Sequence, residues 1–218
     1  MTAQSGSNKL HAGSGVLLPI GEQTKRLPQL LLGLVMFGVG VAVGVIGDIG
    51  LPPWDLFHKG IASHTPLSFG LASITVGLIL LVLVVALGER VGIGTVGNVF
   101  VIGATIDLVL WLVDTPSSMV ARTLYTVSGP VFIGLGSGLY LGVRLGPGTR
   151  DGLMSALSRR GVVVWKARSI VEMAAFAGGI ALGSRAGFGT VWFLVTVGPC
   201  VQFFLPRFVR PTHPKELR

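Results

Sequence analysis

Long apolar stretches alternate with short polar segments along most of the chain. Each stretch has roughly the 20 apolar residues that a helix needs to cross about 30 Å of hydrocarbon. The pattern therefore predicts an all-α membrane protein with six transmembrane helices. Their approximate bounds are residues 29–47, 67–87, 94–113, 121–143, 164–183 and 188–205.

Composition changes this picture only by excluding a soluble fold. Of the 218 residues, 12% are charged and 50% are hydrophobic, whereas about 25% of an ordinary soluble domain is charged. We therefore predict a disordered cytoplasmic tail over residues 1–28, a membrane domain over 29–206 and a basic cytoplasmic tail over 207–218. No apolar run precedes Pro28, so no secretory signal peptide is expected.

The distribution of basic residues predicts the orientation of the spans. With six spans, all 17 lysines and arginines except Lys59, Arg122 and Arg185 fall on the side of the N-terminus. Basic loops stay inside, so we expect both termini in the cytoplasm of a bacterial cell, at its plasma membrane. The same charges suit anionic lipid at the cytoplasmic face. The predicted orientation thereby accounts for the net charge of +8. The sequence has no basic segment with interleaved aromatic residues, so nucleic-acid binding is not expected.

A sequence repeat relates the two halves of the membrane domain. Asp55 aligns with Asp151 at an offset of 96 residues, and Thr95 aligns with Thr190 at an offset of 95. Glycines supply most of the other matches: Gly33, Gly38, Gly40 and Gly50 align with Gly129, Gly134, Gly136 and Gly146, and Gly88, Gly92, Gly94 and Gly103 align with Gly183, Gly187, Gly189 and Gly198.

The repeat predicts two inverted units, at about residues 29–113 and 121–206. Each unit contains three spans, and an odd number of spans makes the second unit enter the membrane from the opposite side. Secondary transporters often use inverted repeats and place the substrate site between the halves. The repeat therefore favours a transporter.

Each unit also contains a segment after its first span that is too polar to cross the membrane. Pro53 suits the first position of a helix, and Asp55 and Asp151 then fall near the third position, where a carboxylate meets unpaired N–H groups. We predict short, non-spanning helices over about residues 53–60 and 149–160. The two aspartates either cap these helices or contact a ligand directly.

Arg150 is a sharper ligand candidate than either aspartate. It lies beside the backbone amides of Gly148 and Thr149, which are suited to an anion at a helix N-terminus. The alternative is that Arg150 contacts lipid from a cytoplasmic loop. Substrate binding and lipid contact both stay open at this point.

Charged residues within the predicted spans are further functional candidates, because burying a charge in a membrane is costly. Glu172 falls near the middle of the fifth span, and Arg168 lies one turn before it. Glu172 either forms an ion pair with Arg168 or couples transport to a proton or ion. Asp107 in the third span is expected to pair with Arg122 in the fourth.

The remaining motifs point to packing. Trp54 and Phe57 are expected to anchor the first short helix at the membrane interface. Thr95 and Thr190 are expected to cap the third helix of each unit. Glycines and alanines spaced every four residues form smooth faces for close helix packing: Gly134, Gly138 and Gly142 form one, and Ala175, Gly179 and Gly183 form another.

No metal site or catalytic centre is predicted. His58 and His64 lie near Asp55, but they lack metal-ligand spacing, and the single cysteine, Cys200, lies in an apolar stretch. The order of serines, histidines and aspartates fits no nucleophile motif, so we predict no enzyme and no cofactor. The substrate-binding candidates are Asp55, His58, Arg150, Asp151 and Glu172.

Four stretches carry a family resemblance. The sequences GLPPWDLFHKG at residues 50–60, GIGTVGN at 92–98, LGPGTRDGLM at 145–154 and RSIVE at 168–172 resemble the bacterial YczE-type integral membrane proteins of the YczE/YitT group. The resemblance covers about residues 29–206, although Thr149 stands where many relatives have proline. It implies a multi-pass plasma-membrane protein and brings no settled activity with it.

Sequence therefore favours a small transporter or carrier of an unidentified solute. The alternative is a membrane scaffold or accessory protein for a cytoplasmic enzyme system, and a membrane enzyme ranks third. A polar cavity that reaches Glu172 would favour transport, whereas a dry, glycine-packed interface between the halves would favour the scaffold. The expected partners are bilayer lipid, a small-molecule ligand and further copies of the chain.

Overall fold

The computed structural model describes residues 19–89 and 91–211, and all regular structure within these ranges is helical. Predictions for the remaining residues, including Lys9, Arg90 and the extreme C-terminus, lie outside the described part. The helices are α1 (Ile20–Gly47), α2 (Pro53–His64), α3 (Phe69–Ala86), α4 (Ile93–Leu112), α5 (Met119–Gly142), α6 (Thr149–Arg159), α7 (Val164–Ala181) and α8 (Phe188–Phe208).

Five of these helices, α1, α3, α4, α5 and α8, are long and apolar enough to cross a membrane. The remaining predicted span, residues 164–183, corresponds to α7. This helix has 18 residues, but three of them are charged, namely Lys166, Arg168 and Glu172. The predicted short helices are present as α2 and α6, and Asp55 and Asp151 each occupy the third helical position.

The first helix begins at Ile20, so residues 20–28 are helical and do not belong to a disordered tail. Their polar side chains explain the extension. Arg26 is buried and donates to the carbonyls of Val143 (3.0 Å) and Pro211 (2.8 Å), and Gln29 donates to that of Leu139 (3.1 Å). These bonds satisfy carbonyls at and beyond the ends of α5 and α8 that helix geometry leaves unpaired.

The centre of the molecule is a close, antiparallel crossing of α1 and α5. A β-carbon at Gly33 would lie 2.9 Å from the carbonyl oxygen of Gly136, and one at Gly40 would lie 2.9 Å from that of Gly129. Gly33 thus faces Gly136 while Gly40 faces the earlier Gly129, so the two helices run in opposite directions. Their backbones approach this closely because neither has a side chain at the contact.

One predicted small-residue face packs as expected, and the other does so only in part, because Gly183 lies beyond the end of α7 and a β-carbon there would meet nothing within 4 Å. Gly134, Gly138 and Gly142 of α5 lie against α8, where they meet Cys200, Phe204 and Phe208. The hydroxyl oxygens of Thr95 and Thr190 each accept the N–H three residues earlier, at 3.3 and 3.1 Å, at the starts of α4 and α8.

Matching turns join the halves at both ends of the α1–α5 pair. Gly50 and Gly146, which follow α1 and α5, both have φ of +123°, a conformation that a side chain would strain. Each turn accepts a backbone hydrogen bond from the start of a helix in the other half. The bonds run from the Gly94 N–H to the Leu145 carbonyl and from the Gly189 N–H to the Ile49 carbonyl, both at 2.9 Å.

The two short helices form a ring with α3 and α7. Both α2 and α6 pack against α3 and against α7. A β-carbon at Gly179 of α7 would meet Leu56 of α2, and one at Gly152 of α6 would meet Val84 of α3. The ring therefore takes two helices from each half of the chain, and it surrounds the candidate site.

Candidate functional site

The candidate site forms where the first turns of α2 and α6 meet. Both helices begin in the interior and end at the surface: Trp54 and Thr149 are buried, whereas His64 and Arg159 are exposed. Each helix therefore points its N-terminal end, with its partial positive charge, at the centre of the ring. The first short helix is not anchored at the membrane interface through Trp54, because this side chain is only 7% exposed.

A stacked pair links the two first turns. The guanidinium carbon of Arg150 lies 4.7 Å from the centre of the Trp54 ring, a distance typical of a cation–π contact. The lipid-contact alternative for Arg150 is thereby disfavoured, since its charge points at the interior of the ring. Trp54 also has a buried indole N–H for which no hydrogen-bond partner occurs among the described residues.

Asp55 and His58 complete the α2 side of the site. The two residues are 3% and 1% exposed. His58 Nδ1 lies 3.6 Å from Asp55 Oδ1, which is proximity and not a hydrogen bond. Burial lowers the pKa of His58, Asp55 opposes this shift, and Arg150 adds to it. His58 is therefore a neutral ring, packed edge-on against Phe69 at 6.0 Å.

Asp151 and Tyr140 lie on the α6 side. Burial raises the pKa of Asp151, and the positive charges of Arg168 and Arg150 oppose this rise. Tyr140 of α5 is buried and interacts electrostatically with Asp151 and Arg150. Its hydroxyl faces Gly148, since a β-carbon there would lie 3.3 Å from it.

Glu172 brings α7 into the same site. Its carboxylate interacts electrostatically with Arg150 more strongly than with Arg168, and with the Trp54 indole. The geometry to Trp54 falls short of a hydrogen bond. No salt bridge joins Glu172 to Arg168 within the described chain, so the predicted pair is not formed. Arg168 is exposed, and Arg150 is the cation with the larger electrostatic effect on Glu172.

The second predicted pair, between Asp107 and Arg122, does not form either. Asp107 instead accepts hydrogen bonds at the start of α3, from the hydroxyl of Ser68 and the N–H of Gly70, the latter at 2.7 Å. Arg122 donates to Asp48 at the end of α1, at 2.9 Å. Neither residue reaches the candidate site, because each satisfies the end of a neighbouring helix.

An apolar cavity of about 480 Å³ adjoins the charged cluster. This volume lies within the range of small-molecule sites. Trp54 belongs to both the cavity and the cluster. The other lining residues are apolar and come from all four helices of the ring: Phe57, Ile61, Val76, Ile79, Leu80, Leu153, Leu157, Ile170, Val171, Ala174 and Ala175.

The cavity lining repeats between the two halves. Positions on α2 match positions on α6 at the offset of 96 found in the sequence, and positions on α3 match positions on α7 at the offset of 95. The cavity thus lies between equivalent surfaces. The matched pairs are Phe57 with Leu153, Ile61 with Leu157, Val76 with Val171, Ile79 with Ala174, and Leu80 with Ala175.

The five residues predicted to bind substrate are thus neighbours in the ring, since Arg150 interacts with His58, Asp151 and Glu172, and Asp55 lies beside His58. Their role there stays a prediction. Trp54, Tyr140 and the apolar lining were not predicted. For Trp54 a usable signal exists in the sequence, because it aligns with Arg150 at the offset of 96. These two aligned side chains contact each other in the structure.

Comparison with known proteins places the chain in a family. Residues 24–206 match the family of unknown function DUF6198. An uncharacterized protein of Haemophilus influenzae is 32% identical over 192 residues, covering 88% of each chain. The uncharacterized membrane protein YczE of Bacillus subtilis is 31% identical over 182 residues, covering 82% of this chain and 84% of YczE. No solved structure matches. The protein therefore belongs to the DUF6198 family and is a YczE-type membrane protein, as its motifs predicted.

Proposed function

We propose that the protein is a small membrane carrier, not an enzyme, whose solute binds between two inverted halves. The observation that carries this proposal is the cavity beside Trp54 and Arg150, whose walls take equivalent residues from both halves. A carrier needs such a site, because rocking the halves about it exposes the solute to one side and then to the other.

Helix contacts support six crossings. The start of α1 meets the segment after α8 through Arg26 and Pro211, which supports two ends on one side and therefore an even number of crossings. The five apolar helices alone would give an odd number. If α7 also crosses the membrane, the number of crossings becomes six, which is even. Its C-terminal end lies with α2, where the Ser184 hydroxyl donates to the Leu56 carbonyl at 2.8 Å.

Backbone conformation supports the inverted repeat. Positive φ angles recur at the offsets found in the sequence: Asp48 and Arg144 have φ of 49° and 55°, and Gly88 and Gly183 have φ of 78° and 80°. The antiparallel α1–α5 crossing, in which Gly33 meets Gly136 and Gly40 meets Gly129, is the contact that an axis in the membrane plane produces. These features are independent of the hydropathy pattern.

The scaffold alternative has one observation in its favour, which is the dry glycine contact between α1 and α5. That contact holds the halves together at the centre, but it does not account for the charged residues in the ring. Arg150, Asp151 and Glu172 cluster beside a cavity that glycine packing has not closed. A scaffold has no need for partly buried charges at this place.

Access to the site from both sides of the membrane tests the proposal. Thr149 is 3% exposed and precedes Arg150, so Thr149→Cys places a small thiol at the site. Cys200→Ala first removes the single native thiol and keeps the β-carbon that packs on Gly134. A membrane-impermeant methanethiosulfonate reagent is then applied to right-side-out and to inside-out vesicles.

A carrier predicts that Thr149→Cys reacts in both vesicle types. Lys59→Cys and Arg159→Cys, at the exposed parts of α2 and α6, serve as controls and should each react from one side, Lys59→Cys from outside and Arg159→Cys from inside. Reaction of Thr149→Cys from one side alone, or from neither, would contradict the carrier and favour the scaffold.

A further inference from the structure

The cavity is suited to an apolar part of a ligand, and the charged cluster beside it is suited to a polar part. The cavity walls are built from aliphatic and aromatic side chains such as Phe57, Leu80, Leu153 and Val171. The cluster at its Trp54 end holds the guanidinium of Arg150. A molecule that satisfies both parts has an apolar body and one polar end.

Two hydrogen-bond donors of the protein that lack an acceptor indicate the chemistry of the ligand's polar end. Among the described residues, Arg150 forms no hydrogen bond or salt bridge, and its guanidinium contacts the face of Trp54. The Trp54 indole N–H is likewise without a hydrogen-bond partner, in a side chain that is more than nine-tenths buried. Buried donors in proteins are normally satisfied. Two donors side by side, one of them charged, fit a carboxylate.

A cationic ligand fits less well, although carboxylates are present. The aromatic face that would receive a cation already holds Arg150. Asp55 and Asp151 sit at the third positions of α2 and α6, next to the partial positive charge of each helix N-terminus, and burial raises the pKa of Asp151. Glu172 is the remaining acid, and it competes with a bound anion for Arg150.

We propose that the site binds an amphipathic monocarboxylate, with its alkyl or aryl body in the cavity and its carboxylate on Arg150 and the Trp54 N–H. This inference rests on the proposed function, because it names the solute class of the same site. The apolar body has a route from the bilayer, since Ile79 of α3 and Ile170 of α7 line the cavity and are each 57% exposed.

Equilibrium binding of radiolabelled octanoate to the purified protein in zwitterionic nanodiscs tests the inference, with empty nanodiscs as the background. We expect saturable binding that is at least about tenfold tighter than for butyrate, since each buried methylene is worth about fourfold. Octyltrimethylammonium, which has the same chain and the opposite charge, should fail to displace the label.

Four variants separate the parts of the site. Arg150→Gln should weaken octanoate binding about tenfold or more, and Arg160→Gln, at the other end of α6, should leave it unchanged. Ala174→Phe fills the cavity, so it should remove the preference for octanoate over butyrate. Glu172→Gln removes the competing carboxylate and should tighten binding severalfold, an effect that mere misfolding would not produce.

Unchanged octanoate binding in both Arg150→Gln and Ala174→Phe would overturn the inference, as would tighter binding of octyltrimethylammonium than of octanoate. Absence of saturable octanoate binding would also overturn it. These failures are distinct from failure of the carrier, because two-sided labelling of Thr149→Cys needs no ligand. Labelling from both sides without octanoate binding would mean a carrier of another solute class.

Discussion

At the residue scale, His58 is a buried histidine whose ring is uncharged in the folded protein. Its ring lies between Trp54 and Phe69, at ring-centre distances of 6.4 and 6.0 Å. Burial lowers the pKa of His58 below its usual range, and Asp55 only partly offsets this. The unfolded chain therefore takes up a proton at a higher pH than the folded protein does.

The sign of the resulting pH dependence follows from this difference. Below about pH 6.5 the unfolded state binds the extra proton first, so the free energy of unfolding falls as pH falls. One proton contributes at most about 1.4 kcal/mol per pH unit. We expect the melting temperature in detergent to drop between pH 7 and pH 5, partly through His58.

His58→Met isolates this contribution, because methionine occupies the equivalent position 154 in the second half. The variant should retain more of its neutral-pH melting temperature at pH 5 than the native protein does. If the two proteins lose the same number of degrees between pH 7 and pH 5, burial of the neutral His58 ring is not a source of acid sensitivity.

Residue identities were more predictable from the sequence than residue partners. Burial cost alone singled out Glu172, and helix-start chemistry singled out Asp55, Arg150 and Asp151. The partner of Glu172 was missed because an i,i+4 neighbour, Arg168, looks sufficient when the fold is unknown. Only the ring of helices brings Arg150 to the same carboxylate.

At the element scale, the α1–α5 crossing depends on glycine at four points. A β-carbon at Gly136 would lie 2.5 Å from the backbone nitrogen of Phe37 and 2.6 Å from the carbonyl oxygen of Gly33. Both are backbone atoms, which cannot rotate away as a flexible side chain can. The two helices would have to separate along their length to admit even one methyl group.

Gly136→Ala should therefore destabilise the protein by about 1–3 kcal/mol, the usual cost of overpacking a close contact. Gly198→Ala is the matched control, since Gly198 also lies within a predicted membrane span and a β-carbon there would meet nothing within 4 Å. Its stability should be unchanged or slightly higher, because alanine favours helix. Equal melting temperatures in detergent for the two variants would refute the close crossing.

The hydropathy pattern predicts that the long helices exist, but it does not predict where α1 begins. Residues 20–28 are polar enough to resemble a tail, and a hydropathy pattern cannot register that Arg26 and Gln29 bond to carbonyls of α5 and α8. The apolar cavity was hidden for a related reason. Its walls are ordinary apolar residues, and only the arrangement of α2, α3, α6 and α7 leaves a space between them.

At the scale of the whole molecule, charged contacts sort into two layers that agree with the predicted sides of the membrane. Asp48 joins Lys59 at 2.7 Å and Arg122 at 2.9 Å, and both cations are predicted to lie outside. Glu89 forms a salt bridge with Arg159, which is predicted to lie inside. The contacts group predicted outer residues with each other, and predicted inner residues likewise.

Both termini are therefore expected in the cytoplasm, which is the last prediction. The bond from Arg26 to the Pro211 carbonyl, at 2.8 Å, joins the start of α1 to the segment after α8, which supports two ends on one side, and the basic residues near both ends favour the inner side. A reporter that is active only in the cytoplasm should be active when it is fused to either end. A reporter that is active only outside the cytoplasm should be inactive at both ends. An extracytoplasmic signal from both ends would reverse the predicted orientation but would agree with the helix packing. Signals from opposite sides would exclude six crossings. They would thereby also exclude the inverted halves on which the carrier depends.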